Sequence, residues 1–252
     1  MNKLIFPTEP KWLKERTLLL GLTGSHAYGT NTPESDMDYR GVCIPPLSYY
    51  LGLDTFNEYN NTGGKSYKNS NTDVDLSIAH LSKFVRDATS GVPNNLELLF
   101  LRREDYVLIT PIGEELINHR HLFLSKQVLR KFGGYAYSQM RRLEQGKGSA
   151  ALIEQYGYDT KDYMHAVRLL TSAIEILETG DFSTYRPNRE FLLACRSGQH
   201  SLKEALNTLN DYNTQLKEAG NHSMLPERPD YNKVNRLLME LNQEALFEQV
   251  FP

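Results

Sequence analysis

Apolar and polar positions alternate in short runs through the first hundred residues and recur with a helical period from about residue 111 onward. Thr17-Leu18-Leu19-Leu20-Gly21-Leu22 is an apolar run ending just before a Gly-Ser pair, the pattern of a buried strand entering a turn. Asn31 to Ser35 is rich in turn-forming residues. Asp36 to Ile44 then alternates as a strand, which Pro45-Pro46 ends. Asp73-Val74-Asp75-Leu76-Ser77-Ile78 alternates again and predicts a third strand with one polar face. Residues 57–72 are dominated by Asn, Gly, Ser, Lys and Tyr and read as a mobile loop. The spacing of Leu81, Phe84, Val85 and Ala88 predicts a helix over 80–89, closed by Gly91.

Further helices are expected at 111–118, 124–145, 159–179, 189–196, 200–219 and 230–247, with Pro187, Pro226 and Pro229 marking breaks between them. The pattern thus predicts an α+β protein. An N-terminal α/β unit with a small mixed sheet would span 1–110. An α-helical unit would span 111–252 and complete the functional site.

Composition narrows the function classes without choosing one. The chain has 252 residues, 40% hydrophobic and 23% charged, an ordinary globular balance. No apolar run is long enough to span a bilayer, and the first residues lack the pattern of a signal peptide, so a cytoplasmic protein with no membrane partner is expected. Cys43 and Cys195 belong to no metal-binding cluster and are expected to be unpaired thiols. A formal net charge of −3 argues against a wholly basic surface, although Arg130, Lys131, Arg141, Arg142 and Lys147 make the middle of the chain richer in cations.

The informative stretch runs from Gly24-Ser25 to Asp36-Met37-Asp38. Residues two apart in a strand share a face, so Asp36 and Asp38 would present their carboxylates together. Such a pair repels itself unless a divalent cation lies between, and Mg²⁺ favours carboxylate, phosphate and water oxygens. Asp75 lies on the later alternating strand and could supply a third carboxylate, with Asp73 competing for that role. Three carboxylates can hold two metal ions for an in-line phosphoryl displacement. Gly24 permits close backbone approach, and Ser25 adds a hydroxyl donor, which suits a turn that holds phosphates.

This run resembles the signature of the polymerase-β-like nucleotidyltransferase superfamily: an apolar strand, Gly-Ser, a spacer, Asp-x-Asp and a later acid. More closely, the chain resembles the bacterial and phage family of RNA-repair-pathway polymerase-β-like nucleotidyltransferases. The supporting stretches are Gly24-Ser25-His26-Ala27-Tyr28-Gly29, Ser35-Asp36-Met37-Asp38-Tyr39-Arg40-Gly41 and Asn95-Leu96-Glu97-Leu98-Leu99-Phe100. Gly157-Tyr158-Asp159-Thr160-Lys161, His165-Ala166-Val167-Arg168-Leu169-Leu170 and Leu225-Pro226-Glu227-Arg228-Pro229-Asp230 extend it over most of the chain. The resemblance implies transfer of an NMP from an NTP to a hydroxyl, with release of pyrophosphate and two Mg²⁺ or Mn²⁺ ions. Asp36 and Asp38 would bind both ions, Asp75 would complete the site of the ion that activates the acceptor hydroxyl, and Gly24 and Ser25 would bind the triphosphate. RNA is the acceptor that the resemblance favours. A protein hydroxyl, or a nucleotide-sensing or RNA-binding module without turnover, are the alternatives.

Other residues join these more loosely. Lys161, His165 and Arg168 fall at i, i+4 and i+7 on one helix face and are candidate cations for the triphosphate. Arg40 is a candidate phosphate contact or the partner of an acid. Tyr28 suits either a base stack or packing against the loop, His26 either a structural role or a nucleotide contact. Asn95 and Glu97 are candidates to brace the site. Arg186, Arg189 and Arg196 are candidate cations for an acceptor strand, against the default of a charged helix surface. Gly63-Gly64-Lys65-Ser66 is rejected as a phosphate loop, because Tyr59 stands where its first glycine belongs and no buried strand precedes it.

Overall fold

The computed structural model describes residues 6–33, 35–61 and 74–247. Asp73, the rival third carboxylate, and Gly63 to Ser66 lie outside the described residues. Five strands form one mixed sheet in the order β3-β4-β2-β1-β5. The strands are β1 (Thr17–Leu22), β2 (Met37–Cys43), β3 (Glu58–Asn60), β4 (Val74–His80) and β5 (Tyr106–Ile109). β1 pairs antiparallel with both β2 and β5, and β3 pairs antiparallel with β4. β2 and β4 run parallel, with Asp38 opposite Asp75.

The alternation along β2 and β4 has a direct cause. Tyr39 and Cys43 on β2 and Leu76 and Ile78 on β4 point to one face and pack there with Leu13 and Leu20, against which Trp12 and Phe56 lie. The residues between them, Asp38 and Asp75 among these, therefore face the other way. On that second face Leu18, Leu19, Val42 and Ile44 enter the larger core that the helices complete.

The helices are α1 (Gly24–Tyr28), α2 (Ser48–Leu51), α3 (Leu81–Thr89), α4 (Pro93–Leu99), α5 (Pro111–Asn118), α6 (Gln127–Glu144), α7 (Ala150–Tyr156), α8 (Thr160–Thr179), α9 (Arg189–Arg196), α10 (Leu202–His222) and α11 (Tyr231–Phe247). α8 is the central one: thirteen of its twenty residues are buried, and it packs against α6, α9 and α10. The large core is continuous from Leu18 on β1 to Leu241 on α11, so the strand-bearing and helical segments share it. Tyr50 on α2 donates a hydrogen bond to Asn242 Oδ1 on α11 at 2.8 Å, tying the last helix back to the first hundred residues.

Several family stretches turn out to be joints. In Gly157-Tyr158-Asp159, Gly157 ends α7 in the left-handed conformation. The Tyr158 hydroxyl donates to the His200 carbonyl at 2.8 Å. The Asp159 carboxylate caps α8, accepting from Lys161 N at 2.9 Å and Asp162 N at 3.0 Å, and also takes Ser149 N at 2.6 Å. In Leu225 to Asp230, the Pro226 carbonyl accepts from Lys126 N at 2.9 Å, Glu227 pairs with Lys126 and Asp230 accepts from Asn232 N.

One sequence expectation changes. Within residues 57–72, expected to be loop, Glu58 to Asn60 form an edge strand, because β4 offers a free ladder edge and Tyr59 packs on the small cluster beneath it. Tyr106 to Ile109, to which the sequence pattern assigns no element, is the strand that closes the sheet beside β1. Both cysteines are buried free thiols, and burial pushes Cys43 up to about 12 and Cys195 up to about 11. Among the described residues no helix is long and apolar enough to cross a membrane.

Candidate active site

The site forms where β1 ends and β2 begins. Thr23, the residue after β1, donates both its N–H (2.7 Å) and its hydroxyl (3.1 Å) to the Asp38 carbonyl. This fixes the strand carrying Asp38 against the turn that opens α1. Gly24 follows, with φ +63°, and a Cβ placed on it would run into the Asp38 carboxylate. Glycine is thus required twice, for the left-handed backbone and for the close approach.

Asp36, Asp38 and Asp75 each offer a carboxylate oxygen, and the three oxygens lie within 4.8 Å of one another. The strand pairing explains the convergence: Asp38 and Asp75 are register partners in the parallel ladder, and Asp36 is two residues before Asp38 on the same side. Burial and then the charges of Asp36 and Asp75 push the Asp38 carboxyl up, while Arg40 and Lys161 pull it down. A cluster of anions that raises its own proton affinity is the donor set a hard divalent cation satisfies.

The carboxylates line a cleft of about 830 Å³ that also receives Gly24, Ser25, Arg40, Lys161, His165 and Arg168. These nine, among the residues singled out in the sequence, therefore line one cleft. The Ser25 hydroxyl is buried and has no hydrogen-bond partner among the described residues. A buried donor left in that state costs about 1–3 kcal/mol unless a ligand or water satisfies it, so it marks a place for an acceptor atom. Lys161 is exposed at the mouth of the cleft.

His165 and Arg168 differ from the simple expectation of a cationic face. Burial and then the charges of Arg168, Lys161 and Arg196 hold the His165 imidazole at about 3, so it is neutral near pH 7. It can donate or accept a hydrogen bond there, and it adds no positive charge. Arg168 is buried and forms an ion pair with Glu97 of α4. Its guanidinium lies 4.0 Å from the centroid of the Tyr28 ring. The Tyr28 hydroxyl donates to the other Glu97 oxygen at 2.8 Å. Tyr28 is therefore a packed aromatic, and Glu97 is a buried brace joining α1, α4 and α8. Asn95 ties α4 to α3 through the Phe84 carbonyl at 3.3 Å.

Of the three candidate arginines for an acceptor strand, Arg196 lines the cleft and donates to Thr160 Oγ1 at 3.3 Å. Arg186 is buried and paired with Glu175 at 2.7 Å, and Arg189 lies 5.4 Å from the Tyr185 ring centroid. Sequence reasoning missed Asn94 and Gln139 in the cleft wall. Neither sits in a charged or periodic pattern, and only the packing of α4 and α6 brings them there.

A family model, the RNA repair pathway DNA polymerase beta family, matches residues 9–240. The chain belongs to this family. Its members are polymerase-β-like nucleotidyltransferases, and the sheet, the Gly-Ser turn and the three carboxylates of this chain agree with that assignment. A 38.9 kDa protein from the nrdC-mobD intergenic region of Enterobacteria phage T4 is 35% identical over 86 residues. That match spans 33% of this chain and 25% of the phage protein. A nucleotidyltransferase-like protein from Exiguobacterium sibiricum 255-15 is 11% identical, with 96% of this chain and 74% of that chain covered, at a TM-score of 0.29.

Two measurements address the candidate site directly. Gly24→Ala is expected to cost about 1–2 kcal/mol for the left-handed backbone alone, and to weaken metal-dependent NTP binding by displacing Asp38; urea denaturation and a Mn²⁺ titration with NTP read the two effects. His165 gives a pH signature. Its folded value lies below its unfolded one, so its contribution is constant above about pH 6.5 and stability falls as pH drops from there toward about 3. The slope from this one group is at most about 1.4 kcal/mol per pH unit. His165→Gln is expected to flatten the difference between denaturation curves at about pH 7.5 and pH 5.

Proposed function

We propose that the protein transfers an NMP from an NTP to the hydroxyl of an acceptor, with RNA the preferred class of acceptor, and releases pyrophosphate. The observation that carries this reading is the convergence of Asp36, Asp38 and Asp75 beside the Gly24-Ser25 turn. The three carboxylates fit two divalent cations, Mg²⁺ or Mn²⁺, which when bound would neutralise phosphate charge and lower the proton affinity of the acceptor hydroxyl.

The chain's own residues would do the rest by positioning and electrostatics. Ser25 Oγ and the backbone of the Gly24 turn would hold the outer phosphates. Lys161 and Arg40 would balance the triphosphate charge, and His165 would contribute a neutral hydrogen bond. Arg168 would act mainly by holding α8 to Tyr28 and Glu97, with its Nε, which has no partner among the described residues, the atom left for a phosphate oxygen. Asp75 would accept the acceptor hydroxyl's proton or orient it for attack in line with the departing pyrophosphate.

Incubation with labelled NTPs, Mn²⁺ or Mg²⁺ and RNA bearing a free 3′ hydroxyl tests the reading. Labelled RNA and equimolar pyrophosphate are expected. If neither product forms and no metal-dependent NTP binding is measured, the reading is wrong. A label recovered instead on a protein would move the acceptor to a protein hydroxyl.

A further inference from the structure

α6 carries a feature that the nucleotidyl-transfer site does not use. Between Lys126 and Ser149 the chain holds six cations and one carboxylate, a net of +5 in a protein whose formal net charge is −3. Arg141 pairs with Glu144 and Arg142 with Asp162, whereas Arg130 and Lys131 make no ion pair among the described residues. Four of these cations, Arg130, Lys131, Arg141 and Arg142, lie on α6 itself, while Lys126 before it pairs with Glu227, and a positive stretch on a net-acidic protein suits a polyanion.

The placement of the residues sharpens this. Gln139 lines the active-site cleft. In the amide orientation that satisfies both groups, it donates to the Asp162 carboxylate at 2.7 and 3.2 Å, and Arg142 donates to the same carboxylate at 2.6 Å. Lys131, Tyr135, Gln139 and Arg142 stand at i, i+4, i+8 and i+11, which is one stripe of a helix. The stripe therefore leaves the cleft at Gln139 and climbs α6 toward its N-terminus. Tyr135 lies about 6 Å along the axis from Gln139, and Lys131 about 12 Å, by the helical rise. Tyr135 is 50% exposed, an aromatic ring left in solvent between the cleft and a cation.

We propose that this stripe is the track for the acceptor, and that the acceptor is a single-stranded polynucleotide. A base two or three positions from the reacting end stacks on Tyr135, and the phosphate beyond it meets Lys131. An aromatic face and an alternating cation suit an unpaired strand, whose bases are free to stack; a duplex keeps its bases occupied. An acidic polypeptide would use the cations and would have no reason to engage the ring. The proposal rests on the nucleotidyl-transfer reading for its direction, since the strand must end in the cleft, but its contacts lie outside the catalytic residues.

The test uses the full chain and a fluorescein-labelled single-stranded oligonucleotide about a dozen residues long, made as RNA and as DNA, with an acidic peptide of equal charge as competitor. Tyr135→Ala is expected to weaken binding about tenfold for at least one of the two strands, which then names the sugar. Lys131→Gln is expected to lower the slope of log affinity against log salt by about 0.7, one phosphate contact on a single strand. Tyr137→Ala, on the opposite side of α6 and 56% exposed, is expected to change affinity less than twofold. All three variants should retain metal-dependent NTP binding, which also reports that they fold. If Tyr135→Ala and Lys131→Gln bind both strands as the parent does, or if the peptide displaces the strand equally from parent and Tyr135→Ala, the track is wrong while nucleotidyl transfer stands. If the parent binds strand through Tyr135 yet binds no NTP with metal, the track stands and the reading of the catalytic site fails.

Discussion

Asp38→Asn is expected to lower the rate of nucleotidyl transfer by about 10³-fold or more, the scale of losing a main transition-state electrostatic contact. The carboxylate sits at the junction of everything the site assembles: its carbonyl is held by Thr23, its oxygens lie against Gly24, and Asp36 and Asp75 flank it. The substitution keeps size and shape and removes only charge. Metal-free protein should not suffer for it. Burial and like charges raise the folded carboxyl above its unfolded value, so ionised Asp38 opposes folding, and the cost grows as pH rises from about 3.8 through the folded value. Asn has no such cost. A thermal melt at pH 7 without metal should therefore show the variant at least as stable as the parent. Added Mn²⁺ should raise the parent's melting temperature and leave the variant's nearly unchanged. Pyrophosphate release and the paired melts decide it, and full activity in Asp38→Asn would remove the carboxylate cluster from the mechanism.

The second large effect is on stability. Arg168→Ala leaves the Glu97 carboxyl inside the core with only Tyr28 to bond its side chain, and breaking a buried pair in this way costs about 3–5 kcal/mol. The expected sign of the double change is the opposite of additive. Arg168→Met with Glu97→Leu removes both charges together and is expected to recover most of the loss, leaving Tyr28 with an unsatisfied hydroxyl worth about 1–3 kcal/mol. Adding Tyr28→Phe should return that part as well. Denaturant unfolding of the single, double and triple variants measures this. If the single and double variants lose the same stability, the pair contributes nothing as a pair. Activity separates the roles of Arg168: a variant that refolds to full stability but transfers nucleotide slowly shows that holding α1 in place, or the free Nε, matters to the reaction.

The parts of the fold legible in the sequence were those with a strong local period. β1 is an apolar run because both of its faces are buried, β2 and β4 alternate, and α8 follows its capping Asp159 and ends at Gly180. β3 and β5 were not legible, since three and four residues carry too little pattern and are strands only because β4 and β1 present edges to them. At the site, Asp36, Asp38 and the Gly24 turn could be read because chemistry and spacing coincide within fifteen residues. The brace was harder. Glu97 reads equally well as a helix-surface acid until Arg168, seventy-one residues later, arrives against it. Likewise nothing in the local sequence says that His165 is neutral, because that follows from the company of Arg168, Lys161 and Arg196.

The parallel pairing of Asp38 with Asp75 has one more consequence. Side chains on a strand change faces with every residue, so a slip of β4 by one position would turn Asp75 into the hydrophobic layer and bring Val74 or Leu76 to the cleft. Three converging carboxylates therefore exist only in the correctly registered sheet. A divalent ion that binds them binds no slipped form and no unfolded chain with comparable strength, and so acts as a selector among sheet registers before it ever meets a nucleotide.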